Sequence, residues 1–348
     1  MKPMARGSYG IRLASGVCAL GLALLWGGNV KAAAQRANED EPTPLKLEVR
    51  RPVTTSEIEG GVIRALVQPP RGVTEKQREI VRNHAGVKAA SPAAASGGVA
   101  FYPGDLIYNG GQVVTSLESH NIYVNCVASC FGNPGTFLTR LGNSNFIHVT
   151  DQYVGTDANQ RYTVGQAGRI TYPVSGPLGP NDIVTLVHAA ASALGTGYGH
   201  IHHIFFAPGI DVCADNALTV CYSPDNFATF FFCAFHSSID FSDIGHVLFS
   251  VEPFANVNGC QVNQPSPNGP VVDSQANVLS HELFESITDP DGTAWWNSYA
   301  LGLFGQEIGD ECAQAFFSYA NTSISGHSYE VQPEYSNQAH ACVFRPSE

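Results

Sequence analysis

Apolar positions follow several different rhythms along this chain of 348 residues, and each rhythm predicts a different element. From Leu13 to Trp26 the run is almost unbroken, with Lys2, Arg6 and Arg12 before it and Ala32, Ala33 and Ala34 after it. A basic start, a short hydrophobic core and a small-residue exit predict a secretory signal peptide over residues 1–34. The run is short for a membrane span, and no later stretch approaches about 18 apolar residues. Four segments rich in β-branched and aromatic residues, 121–127, 200–209, 227–235 and 246–254, predict strands. A helical spacing appears twice. Ile183, Leu186, Val187 and Leu194 recur between Asn181, a candidate cap, and Gly195 and Gly197, which predicts a helix over 181–197. Ala276, Leu279, Leu283 and Ile287 predict a second helix from 273 to 288, stopped by Pro290.

Residues 35–100 lack these rhythms. They are polar and charged, with EDEPTP near the start and KAASPAAASGG near the end, and only 74–86 reads as a helix, with Thr74 as its cap. The expectation is a prosegment or linker with little core of its own. Residues 101–348 remain as one domain large enough for a substantial core. Strands mixed with two good helices predict an α/β or α+β fold around a mixed, largely buried sheet.

Charge narrows the partners. Residues 1–100 carry 14 of the 18 Lys and Arg and 8 of the 30 acids, whereas the body carries four arginines, no lysine and 22 acids. Net charges of +6 and −18 make up the total of −12. Nucleic-acid binding needs Lys and Arg against phosphate, so the body predicts no nucleic-acid partner, and no membrane partner once the signal is removed. Self-repulsion on such a surface would ease in acidic surroundings.

Nine cysteines leave eight after Cys18 goes with the signal, an even set that predicts disulfides in an exported chain. Sequence alone does not fix their connectivity. The working expectation pairs neighbours: Cys126 with Cys130, Cys213 with Cys221, Cys233 with Cys260, and Cys312 with Cys342. No C-x-x-C pair points to a zinc-cysteine site.

The candidate chemistry lies on the second helix, in SHELFESITDPDG. His281 and Glu285, four residues apart, share a helix face, with Glu282 about 100° away. In the motif H-E-x-x-H two histidines bind zinc and the Glu acts as general base. Here Glu285 stands where the second histidine would be, and carboxylate is an acceptable zinc ligand. A further ligand is expected from GQEIGDEC, with Glu307 first and Asp310 second. So carboxylate-rich a set also suits calcium, while the imidazole of His281 favours a transition metal such as zinc. The same residues occur on ordinary polar helix faces.

The order of motifs SHELFESITDPDGTAWWN, EIGDEC and YEVQPEYSNQAHAC, with FYPGDLIYNGG, CAFHSS and NVNGCQ upstream, resembles the bacterial and fungal relatives of the plant phosphate-induced, EXORDIUM-like secreted proteins. The resemblance covers residues 101–348. It implies a secreted or wall-associated protein, whose plant relatives are linked to growth and brassinosteroid responses. The plant sequences do not generally keep the His-Glu pair found here at 281–282, which weakens them as a guide to function. Within CAFHSS, His236 becomes a candidate participant, as a ligand or as a group polarising a substrate carbonyl. His200, His202 and His203 read as structural, because 203 points away from the other two in a strand. No G-x-S-x-G elbow supports a serine hydrolase. Trp295 and Trp296 read as core or lid.

These features predict a secreted metal-dependent hydrolase resembling zinc peptidases. His281, Glu285 and Glu307 or Asp310 would hold the metal, with Glu282 as base, and the substrate would be an extracellular polypeptide or cell-wall material. The competing expectation is a non-catalytic, EXORDIUM-like wall or carbohydrate binder. Oligomeric state is not legible.

Overall fold

A computed structural model describes residues 43–63, 65–70, 104–263, 265–297, 307–313 and 320–346. The expected signal peptide and the expected helix over 74–86 lie outside these residues. Eight strands form the central sheet: β1 (Leu45–Lys46), β2 (Leu66–Gln68), β3 (Leu117–Val124), β4 (Tyr162–Val164), β5 (Gly168–Ile170), β6 (His200–Phe206), β7 (Ala234–Phe241) and β8 (Gly245–Glu252). The order is β1-β5-β3-β6-β8-β7-β2, with β4 paired to the start of β3 on the β5 side. From β1 to β8 all pairs are parallel, and β7 and β2 add antiparallel at the far edge. The result is a mixed α/β fold with a mixed central sheet.

Four α-helices are present among the described residues: α1 (Pro134–Gly142), α2 (Asp151–Val154), α3 (Pro180–Leu194) and α4 (Pro270–Thr288). Alternation along the strands sorts the core into two layers. Ile122, Val124, Ile204, Phe206, Phe249 and Val251 pack with α3 on one face. Tyr123, Ile201, Phe205 and Leu248 pack on the other with Ala276, Leu279, Leu283 and Ile287 of α4. Burying these residues in two layers on one sheet is the main apolar stabilisation, at about 25 cal/mol per Å² removed from water.

The expected helix over 181–197 exists, but Asn181 does not cap it. Gly179 is the cap, Pro180 opens the first turn, and Asp182 Oδ2 accepts from the Gly179 N–H at 2.8 Å. Asn181 Oδ1 instead accepts from the Thr55 N–H at 2.9 Å. The expected strand over 227–235 begins only at Ala234. Its aromatic run serves as a buried loop, with Phe230, Phe231 and Phe232 in the core and the Phe231 N–H bonded to the Cys221 carbonyl.

Residues 43–70, expected to belong to a polar linker, supply β1 and β2. Leu47, Val53, Ile58, Ile63, Ala65 and Val67 from this segment are buried in the α3 layer. The Val53 backbone also exchanges two hydrogen bonds with Thr185 Oγ1 of α3, at 2.9 and 2.8 Å. The apolar residues are spaced to suit a crossing of α3 rather than any regular period, so composition conceals them. The described residues, 43–70 included, accordingly fall within one compact unit.

Disulfides join Cys126–Cys130, Cys213–Cys221, Cys233–Cys260 and Cys312–Cys342, as the neighbour pairing anticipates. No helix among the described residues is long and apolar enough to cross a membrane. Several disulfides are compatible with an extracellular protein.

Candidate metal centre

α4 starts at Pro270 and ends as Asp289 leaves the helical conformation ahead of Pro290. Its apolar stripe faces the core, and its polar side is buried too: Asn277, Ser280, His281, Glu282 and Glu285 are all at most 1 % exposed. A helix polar on one side and yet buried all round needs polar partners on that side. They come from the sheet, from the 307–313 loop and from the stretch around Gln332.

On the sheet face that meets α4, successive strands present polar side chains. His203 Nδ1 lies 2.7 Å from Ser250 Oγ, its Nε2 lies 3.2 Å from Ser119 Oγ, and Ser250 donates to Glu252 Oε1 at 2.8 Å. His236, one strand further, sits opposite Ser250 on β8 and Leu66 on β2.

His281 and Glu285 meet as the helical spacing predicts, with Nε2 to Oε1 at 3.1 Å. Asp310 Oδ1 lies 3.7 Å from the same nitrogen. The other ring nitrogen, Nδ1, faces Gln332 Oε1 at 3.3 Å. Because an amide oxygen can only accept, Nδ1 carries a proton, and Nε2 is the nitrogen turned to the carboxylates and placed to bind a metal. Gln332 is itself held: its N–H donates to Asn277 Oδ1 at 2.7 Å and its Nε2 to the Gly309 carbonyl at 2.9 Å. A Cβ at position 309 would lie 2.5 Å from His281 Nδ1, so the loop can approach the imidazole only with glycine there. The Asp310 N–H donates to Glu285 Oε1 at 3.2 Å.

His236 comes in from the sheet. Its Nδ1 lies 3.4 Å from Glu282 Oε2 and 3.3 Å from Glu285 Oε2, while Nε2 lies 3.3 Å from the Asp289 carbonyl and 3.6 Å from Glu307 Oε1. The Asp289 carbonyl accepts from Nε2–H, and Nδ1 is the nitrogen turned to Glu282 and Glu285. All six side chains singled out from the sequence, His236, His281, Glu282, Glu285, Glu307 and Asp310, therefore converge. Two groups within them could hold a cation: His281, Glu285 and Asp310, and His236, Glu285 and Glu307.

Sequence reasoning missed three neighbours. Glu252 ends β8, Glu334 follows Gln332, and both carboxylates are fully buried. Gln332 and Glu334 lie inside YEVQPEYS, where acids and amides interrupt an otherwise apolar strand pattern. That interruption was the available signal.

Electrostatics are lopsided. Burial, then the nearby Glu285, raise the Glu282, Glu307 and Glu334 carboxyls well above the ordinary range. Burial pushes Glu252 up to about 8 and Glu311 up to about 7. Burial would raise Glu285 as well, but His281 and His236 outweigh it and hold that carboxyl down. Burial disfavours the charged His281, and Glu285 and Asp310 more than offset this. Among the described residues, no Lys or Arg pairs with these acids. Arg140 donates to Tyr329 and Arg161 pairs with Asp151.

Several buried atoms have no hydrogen-bond partner among the described residues: Glu282 Oε1 and both carboxylate oxygens of Glu307 and Glu334. An unpaired polar atom in such burial costs about 1–3 kcal/mol, more if charged. A divalent cation among these oxygens and imidazoles removes that cost, so the donor set fits a metal. Imidazole with carboxylate suits zinc and its neighbours, and calcium would use the oxygens alone.

The other conspicuous residues fill structural places. Trp295 packs on Tyr108 and Tyr153, and its Nε1 donates to the Tyr153 carbonyl at 2.8 Å. Ser280 donates to the Asn277 carbonyl, one turn back in its own helix. No family model, curated protein or solved structure matches this chain.

Proposed function

We propose that this chain is an exported metal-dependent hydrolase of the zinc-peptidase type, acting on extracellular polypeptide. The observation that carries the reading is the meeting of His281, Glu285 and Asp310 beside Glu282, in a place with orphaned carboxylate oxygens and no Lys or Arg pairing with them among the described residues. A divalent metal held there would lower the pKa of a coordinated water toward 7 and polarise a substrate carbonyl. Glu282, kept basic enough by burial and its acidic neighbours, takes a proton from the attacking water as the oxygen bonds to the carbonyl carbon. It returns that proton to the nitrogen as the C–N bond breaks. His236, hydrogen-bonded to the Asp289 carbonyl through Nε2, faces Glu282 from the sheet side.

Replacing Glu282 by Gln keeps the size and removes the base. Hydrolysis of a denatured polypeptide is expected to fall by about 10²–10⁴-fold with metal content unchanged. Full activity in E282Q would remove the proposed base.

Burial supports a second reading, a non-catalytic EXORDIUM-like wall or carbohydrate binder in which the metal is structural. Every candidate ligand is at most 2 % exposed, so substrate must displace part of the cover. Part of that cover is Gln68 of β2, whose Nε2 donates to Gln332 Oε1 at 3.3 Å. Under this reading wild type and E282Q are equally inactive and bind glycan equally.

A further inference from the structure

The donors around α4 form two overlapping sets. His281, Glu285 and Asp310 offer one ligand atom each within 4.8 Å of one another, and His236, Glu285 and Glu307 do the same. Glu285 belongs to both, and its oxygens divide between them: Oε1 lies 3.1 Å from His281 Nε2 and Oε2 lies 3.3 Å from His236 Nδ1. A carboxylate with one oxygen toward each of two imidazoles is arranged as a bridge. Each imidazole has its remote nitrogen engaged by an oxygen acceptor, Gln332 Oε1 for His281 and the Asp289 carbonyl for His236. Each ring thus turns its other nitrogen toward Glu285, the nitrogen a cation between them would take in place of a proton.

Charge gives an independent argument. Glu282, Glu285, Glu307 and Asp310 are buried carboxyls, with Glu252 and Glu334 buried beside them. Burial and mutual repulsion favour protonation of Glu282 and Glu307 when no cation is present, and each divalent ion bound would let two of the carboxyls carry their charge. Both oxygens of Glu307 lack a hydrogen-bond partner among the described residues, which leaves them for a cation in the second set.

We infer that the centre is built for two divalent cations bridged by Glu285, one held with His281 and Asp310 and the other with His236 and Glu307. This rests on the reading above only in requiring that the site take metal. In a hydrolase, paired ions about 3.5–4 Å apart hold both the attacking and the departing groups of the reaction. Glu282, adjacent to the second set, stays available as base.

The full chain, stripped with chelator and reloaded with Mn²⁺, tests this by ions bound per chain and by electron paramagnetic resonance of the bound ions. Two ions per chain with an exchange-coupled spectrum is the expected result, and H236A should then hold one ion with an isolated-ion spectrum. One ion in the wild type overturns the paired centre and leaves the single-metal hydrolase standing. Two ions with an uncoupled spectrum also overturn it, since the second then lies elsewhere. No binding of Mn²⁺, Zn²⁺ or Ca²⁺ removes both this inference and the metal reading beneath it. The decision is made on the wild type, so misfolding of H236A does not blur it.

Discussion

The chain gathers histidine and glutamate on both faces of its sheet, and the two gatherings differ in how their atoms are satisfied. On the α3 face, Glu118, His120 and His200 also approach closely enough to hold a cation. There His120 Nδ1 bonds the Gln166 carbonyl at 3.0 Å, its Nε2 meets His200 Nδ1 at 3.0 Å, and the Glu118 side chain is 44 % exposed to water. His202 stacks on His120 and bonds the Gly195 carbonyl at the end of α3. On the α4 face the carboxylates are buried, outnumber the imidazoles and keep orphaned oxygens. Residue type and proximity are alike in the two places, and an orphaned atom, His202 Nδ1, occurs on the α3 face too. Buried carboxylate in excess of imidazole is what separates them, and it favours the α4 face for metal.

Chelation should affect the protein most. With free metal at about a thousand times Kd, binding is worth ~4 kcal/mol to the folded state, and removal also exposes the repulsion among buried carboxylates. Thermal unfolding with and without EDTA should show a clear fall in Tm on chelation. Equal midpoints would erase the distinction between the faces.

Acid should act next, through histidines that no metal touches. Burial depresses His202 and His203 to about 3, below the unfolded value near 6.5. A lowered folded pKa means the unfolded chain binds more protons below pH 6.5. Stability is therefore complete above that pH and declines toward pH 3, by up to about 1.4 kcal/mol per pH unit for each group. The raised Glu282, Glu307 and Glu334 carboxyls act with the opposite sign in the metal-free chain, so the test is made on the rings themselves: the imidazole NMR signals of His202 and His203 should stay those of neutral rings from pH 7 to pH 4, and protonation near pH 6.5 would contradict their burial. The histidine contribution opposes the relief of surface repulsion that the acidic composition suggests.

The smallest effect is expected from H200A. It removes one hydrogen bond at a partly exposed position, worth about 1 kcal/mol, and should leave Zn²⁺ binding unchanged in a calorimetric titration. A weakened titration would place metal on the α3 face.

Much of this arrangement is legible in the sequence. The spacing of Leu279, Leu283 and Ile287 locates α4, and the HELFE order places His281 over Glu285. Glu307 and Asp310 converge as expected from EIGDEC, and His236 joins them from CAFHSS. Helical periodicity and short motifs are local, and these inferences needed only local information. What escaped depends on contacts across the chain. β2 is three residues long and is fixed by pairing with β7, 166 or more positions away, which no local pattern announces. Phe230 to Phe232 have strand composition, yet their loop is set by backbone bonds to Cys221 and by the Cys233–Cys260 bridge. Glu252 and Glu334 look like ordinary strand-end acids until the fold closes over them.

Metal content of the purified chain by elemental mass spectrometry, compared among wild type, H281A and H120A, tests the central claim most directly. Bound metal in the wild type, kept in H120A and lost in H281A, is the predicted result. A metal-free wild type, or metal lost in H120A and kept in H281A, would contradict it.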